Sequence, residues 1–221
     1  MSRQALPDAT GAAAMAAAIG CVYALQWLHP DAPWERLFAL PSAFWDRGEW
    51  WRVFSYMWLH STQSPAHILV NTAALWYFGR DLSSIWGAWR FVRFFVVCGV
   101  AGGLGVMLWP KLLALLGVAS LAFETAVVGA SGAIVGVLVV CVVTSELSPE
   151  VRRSAALALA LATVLPFGAG DISSASHLGG GIGALALVRR DVAASLRALA
   201  PEAKRRARGL RRVRERERRG L

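Results

Sequence analysis

Cysteine is scarce in this chain. Cys21, Cys98 and Cys141 are odd in number, far apart and set in apolar runs, which excludes a disulfide framework and gives no thiolate metal site, so no metal is expected. Charge is sparse as well. Charged residues make up 17% of the 221 against 56% hydrophobic, with a mean hydropathy of +0.49, and that balance excludes an ordinary soluble domain. Polar residues through the full depth of the apolar segments are missing, as is an inverted repeat, so a small transporter or channel is disfavoured.

What is present is a series of apolar stretches with breakers between them. A helix crossing the roughly 30 Å hydrocarbon core needs about 20 mostly apolar residues, so the chain has room for about five to seven crossings and no second domain. Span one is Gly11 to Leu28, read as a retained span and not a cleaved signal peptide. From His29 to Trp51 the chain turns irregular, with Pro30, Pro33 and Pro41 among Trp34, Phe38, Phe44, Trp45, Trp50 and Trp51. Aromatics mixed with charge belong at the headgroup level, so this is an interfacial loop packed against the bundle. A helical turn or two through Val53 to Leu59 precedes span two, Pro65 to Phe78, which Gly79-Arg80-Asp81 closes.

Arg80 to Arg93 then reads as a short basic turn, and span three as Phe94 to Leu108, stopped by Trp109-Pro110. Leu112 to Phe123 is short for a crossing and suits a re-entrant or surface-buried segment. Span four is Ser131 to Ser145, span five Ala155 to Phe167 after a turn holding Arg152 and Arg153, and span six Ile172 or Ser173 to Val188. The expected architecture is an all-α membrane protein, a bundle of six transmembrane helices with an interfacial first loop. Residues 1–10 form an N-terminal segment, 11–190 the membrane domain and 191–221 a basic tail.

The net charge of +9 is concentrated between Arg197 and Arg219. Such a cluster after the last span belongs in the cytoplasm beside anionic headgroups, a better reading than a nucleic-acid arm because Glu202, Glu215 and Glu217 interrupt it. Arg3, the Arg80 to Arg93 stretch, Arg152-Arg153 and Arg189 onward fall on one side of a six-span drawing, so both termini are expected in the cytoplasm. The composition suits a bacterial inner membrane.

Two motifs carry chemistry. Gly129-Ala130-Ser131-Gly132 opens span four and Ser176-His177-Leu178-Gly179-Gly180 lies at the start of span six. Serine is a poor nucleophile until a base takes its proton, and neutral imidazole is the usual base near pH 7. Ser131 and His177 lie at matching depth. Gly132 and Gly136, and Gly180 and Ala184 on the face of His177, have the small spacing that lets two helices approach closely enough for them to touch. A tetrahedral intermediate needs donors for its oxyanion. The free amides at the start of span four supply some, and Gly129 lets a substrate come near them. His67 and Asn71, spaced i to i+4, place two more polar side chains on one face of span two. Asp171 and Glu124 are poorly placed as a third member, which favours a Ser-His dyad.

Any one of these features alone is more often packing than catalysis, since G-x-S-G is frequent between membrane helices and a His/Asn pair can simply join two of them. An intramembrane histidine is a stronger signal because ionisable groups in hydrocarbon are costly. The joint occurrence, in order and at matching depth, raises the catalytic reading.

Taken together, His67-Ile68-Leu69-Val70-Asn71, Gly129-Ala130-Ser131-Gly132 and His177-Leu178-Gly179-Gly180 resemble the rhomboid intramembrane serine proteases, and Trp51-Arg52 matches the Trp-Arg of that family's first loop. The resemblance covers about residues 48 to 188. It implies a six-helix bundle with a water-filled cavity open to the outer side, Ser131 as nucleophile, His177 as general base and then acid, and Asn71, His67 and the Ser131 amide as the oxyanion hole. It implies transmembrane protein substrates and requires no cofactor. The oligomeric state is not readable. Two departures stand out: Val135 replaces the family's frequent tyrosine four residues after the serine, and Ser176 replaces the alanine before the histidine. The segment between His60 and His67 is also slightly long for the family. An inactive rhomboid-like binder or chaperone of transmembrane helices would share the bundle but should lack the serine or the histidine. A narrower subtype that trims C-terminal anchors of exported proteins is a further alternative, suggested by Gly48-Glu49-Trp50-Trp51-Arg52.

Overall fold

A computed structural model describes residues 9–41, 48–117, 126–144, 146–168 and 172–189, so Glu124 and Asp171 lie outside the described residues. These are helical apart from loops and one isolated antiparallel bridge, Leu40 to Val127. The helices are α1 (Thr10–Leu28), α2 (Trp34–Phe38), α3 (Arg52–Ser55), α4 (Pro65–Trp86), α5 (Ala88–Leu115), α6 (Ser131–Val143), α7 (Pro149–Gly168) and α8 (173–189), with a 3-10 turn at Tyr56–Trp58 after α3. By length and composition α1 and α5 are apolar enough to cross a membrane, and α6 is a shorter apolar helix.

The centre of the bundle is α6. Its sequence is apolar around the whole circumference, the signature of a helix with no solvent face, and most of its residues are buried, Gly132 to Leu138 among them. It packs against α4, α5 and α7, while α1 packs on α4 and α5. Glycines set how close α8 comes. A Cβ at Gly180 would run into the Gly132 carbonyl of α6, and one at Gly179 into the Ala101 carbonyl of α5. Neither helix pair could approach this closely with a larger residue at these positions.

Four expected boundaries move. Gly79-Arg80-Asp81 does not close α4, which continues to Trp86. Gly79 is a packing glycine: a Cβ there would lie 2.8 Å from Cζ of Phe91 and 3.4 Å from Cβ of Ala12. The basic turn expected over Arg80 to Arg93 is helical on both sides of a single residue, Gly87, whose φ of 80° only glycine adopts readily. Two of its arginines lie along aromatic rings, Arg80 5.6 Å from the Tyr77 centroid and Arg90 5.1 Å from that of Trp86. Trp109-Pro110 does not stop α5 either. Proline removes one helical donor, and the helix continues to Leu115. The 112–115 part of the supposed re-entrant segment therefore extends α5, and 118–125 lies outside the described residues. Arg152 and Arg153 belong to the opening turns of α7, which begins at Pro149 before the expected start. The basic tail and the N-terminal eight residues also lie outside the described residues.

The described parts of the loop from His29 to Ser64, residues 29–41 and 48–64, fold onto one end of the bundle. Arg52 organises it from within: at 3% exposure, its guanidinium donates to the carbonyls of Ala39 at 2.7 Å and of Arg36 at the end of α2. Its Nε sits 2.8 Å from Glu49 Oε2 as an ion pair. A cation against the last carbonyls of a helix satisfies groups that otherwise have no partner. The Arg of the Trp51-Arg52 pair thus holds α2 and α3 together.

Candidate active site

Ser131 is the first residue of α6 and His177 lies one turn into α8. The Ser131 hydroxyl and His177 Nε2 are 2.9 Å apart, a contact made possible by the Gly132–Gly180 approach one position deeper. His177 is 8% exposed. Its other ring nitrogen, Nδ1, lies 2.7 Å from the main-chain carbonyl of Ala162 in α7. A carbonyl can only accept, so Nδ1 carries the proton and Nε2 presents a lone pair to the serine hydroxyl. That tautomer is the one a general base requires.

His67 and Asn71 both lie on the first three turns of α4. The His67 ring stands beside Gly129: a Cβ at Gly129 would lie 2.8 and 2.9 Å from its Cε1 and Nε2. With φ at 118°, Gly129 holds a backbone conformation that side chains rarely adopt, and this turn delivers the chain into α6. Asn71 is buried and donates from Nδ2 to the His67 carbonyl at 2.8 Å. An amide nitrogen has two protons, so one remains to donate elsewhere. The amides that open α6 have no intrahelical acceptor.

Ser176 is fully buried and takes part in a link the sequence did not announce. Tyr56 donates its hydroxyl proton to the Gly99 carbonyl at 2.7 Å, leaving its oxygen to accept from Ser176 at 3.1 Å. The residue next to His177 is thereby tied to the loop and to α5. Val135 is buried, with Cγ1 3.7 Å from where a Cβ on Gly181 would sit. It therefore packs on α8 one turn beyond His177.

Sequence reasoning missed Gln26, His60 and Ala162. Gln26, 3% exposed, clamps the backbone of His60 at both ends: its Nε2 donates to the His60 carbonyl at 3.0 Å and its Oε1 accepts from the His60 amide at 3.1 Å. A lone glutamine in an apolar span was the available signal. The fully buried His60 ring lies 5.1 Å from that of His67, centroid to centroid. A cleft of about 500 Å³ opens between the end of α1 and the loop, lined by Trp27, Trp34 and Gln63 among others. Neither Ser131 nor His177 lines it.

A hydrogen-bonded serine and histidine thus lie on two closely packed helices, inside an apolar bundle that is helical among the described residues. The Rhomboid domain model matches residues 47–192, and the chain belongs to the rhomboid family. It is similar to Rhomboid protease GluP of Bacillus subtilis (strain 168), 29% identical over 142 residues, which is 62% of this chain and 25% of that protein. It is 29% identical over 160 residues to RHOMBOID-like protein 5 of Arabidopsis thaliana, covering 69% of this chain and 48% of the relative. Over 78 residues it is 39% identical to Rhomboid protein 1, mitochondrial, of Saccharomyces cerevisiae, covering 35% and 21%. The chain thus spans between a fifth and a half of the length of these curated relatives. Membership makes it an integral membrane protein of a protease-like family whose members act on membrane proteins in a bilayer.

Proposed function

We propose that the chain is a serine endopeptidase that cuts membrane-anchored proteins within the bilayer, using Ser131 and His177 as a dyad. The observation that carries this reading is the 2.9 Å contact between the Ser131 hydroxyl and His177 Nε2, with the Nδ1 proton already committed to Ala162. As Ser131 attacks a peptide carbonyl, Nε2 takes its proton. The tetrahedral oxyanion is received by the Ser131 amide, the second amide proton of Asn71 and the His67 ring. The imidazolium then protonates the leaving amine, and water, activated by the neutral imidazole, releases the acyl group.

Helix length supports a submerged site. The 13 residues of α6 reach about 20 Å at 1.5 Å each, about 10 Å short of the hydrocarbon thickness. With the far end of α6 at one face, Ser131 lies beneath the other, where a substrate helix must unwind to present its backbone. The reading uses six crossings, α1 and α4 to α8, with both termini on the cytoplasmic side and the His29 to Ser64 loop on the outer side. Its setting is a bacterial inner membrane, with the basic tail beside anionic headgroups.

The test is labelling of detergent-solubilised protein with a fluorescent fluorophosphonate. Wild type is expected to label, and Ser131→Ala and His177→Ala to lose labelling while keeping the wild-type helical spectrum. A folded wild type that does not label, or a Ser131→Ala variant that still cuts a membrane-anchored reporter, overturns the dyad and favours a binder of transmembrane helices.

A further inference from the structure

Nδ1 of His177 finds its acceptor in an unusual place. Ala162 lies inside α7 (Pro149–Gly168), where a main-chain carbonyl normally accepts from the amide four residues on. Four residues on from Ala162 is Pro166, which has no N–H to give. The α7 ladder therefore has a gap at one carbonyl, and that carbonyl is the one 2.7 Å from His177 Nδ1. Leu161 and Thr163, on either side, are followed four residues on by Leu165 and Phe167, neither of which is a proline.

We infer that the Ala162 carbonyl, released from helix hydrogen bonding by Pro166, is the positioning group that orients His177, in the role a carboxylate plays in three-membered serine hydrolase sites. The inference rests on the protease reading for its catalytic meaning, but the hydrogen bond stands independently of it. A free carbonyl at the ring's Nδ1 side does two things. It fixes the tautomer with the proton on Nδ1, leaving Nε2 basic toward Ser131, and it turns the negative end of a backbone dipole toward the imidazolium that forms when Nε2 takes the serine proton. It does so without placing an ionised carboxylate in hydrocarbon, where a charge is costly. Proline at 166 is thus a specificity device for the histidine, and its cost to the helix is the means by which an acceptor becomes available.

The test introduces an amide at position 166 and then removes it again. Pro166→Ala supplies an N–H that competes for the Ala162 carbonyl; the α-hydroxy analogue of alanine at 166, giving a backbone ester, has the same side chain and no N–H. Full-length protein in detergent carries nitrogen-15 in its histidine rings, and the His177 signals are assigned by their loss in His177→Gln. Wild type is expected to show Nδ1 protonated and Nε2 unprotonated. Pro166→Ala is expected to show a mixture of tautomers and fluorophosphonate labelling slowed about tenfold, with a thermal midpoint equal to or above wild type because alanine is the better helix former. The ester variant is expected to regain both the wild-type tautomer and the labelling rate. A wild-type His177 protonated on Nε2 overturns the inference, and so does an ester variant that behaves like Pro166→Ala. If wild type shows the Nδ1 proton and fails to label, the protease reading falls while the hydrogen-bond assignment stands.

Discussion

At the scale of single residues, His60 is a side chain whose charge its surroundings disfavour. It lies in the loop before α4, fully buried, with neither ring nitrogen in a well-formed hydrogen bond. Burial, and then the proximity of His67, push its pKa from 6.5 down to about 4, and main-chain contact at Trp58 offsets only part of this. A group with a depressed folded pKa binds its proton more readily when the chain is unfolded, so its neutral form supports the fold above the ordinary value and that support is lost as pH falls through the window. The thermal midpoint in detergent is expected to be level above pH 7 and to drop between about pH 6.5 and 4. His60→Phe, which keeps an aromatic ring against His67, should flatten part of that slope. An unchanged slope would remove His60 from the account. Gln26 acts on the same residue through its backbone alone, so its clamp survives this substitution.

Among elements, the decisive contact is between α6 and α8. A methyl at Gly180 has no room, because the obstacle is the Gly132 backbone and not a movable side chain. Gly180→Ala is expected to lower stability by about 1–3 kcal/mol and to slow fluorophosphonate labelling by about a hundredfold, since the helices must separate and the serine and histidine with them. Gly181→Ala is the control. Its Cβ would meet Val139 and Val135 at 3.6 and 3.7 Å, ordinary packing distances, so labelling close to wild type is expected. Equal effects at both positions would show that close approach is not what Gly180 provides. The same pair shows what could be read from the sequence. Small residues near Ser131 and His177 announced a close helix contact, because steric fit is written in side-chain size. Helix ends were harder: Gly79 and Pro110 look like stops, yet the first is a contact with Phe91 and the second a tolerated interruption. Ala162 was beyond reach, since its functional atom belongs to the main chain and only the proline four residues away hints that it is free. Ser176 was noticed as a departure, but its partner Tyr56 is 120 positions distant and no local pattern joins them.

Across the whole molecule, the segment that leads into Ser131 is held by parts of the chain far from it. Leu40 and Val127 exchange two backbone hydrogen bonds, of 3.0 and 2.8 Å, and the Gly129 amide donates to the Tyr56 carbonyl at 3.0 Å. Each of these closes a long loop, and the entropy of loop closure must be met before such contacts repay it. Helices of local sequence form early and these pairings form late. During refolding from denaturant into micelles, helical signal is therefore expected to return before fluorophosphonate reactivity, and Leu40→Pro, which deletes one of the bridge amides, should lengthen that delay. Simultaneous recovery of the two signals would place the bridge early instead. If the late order holds and the proposed protease reading with it, the half-assembled chain has no armed serine, and newly inserted neighbours in the same bilayer are spared from it until its own last seam is sewn.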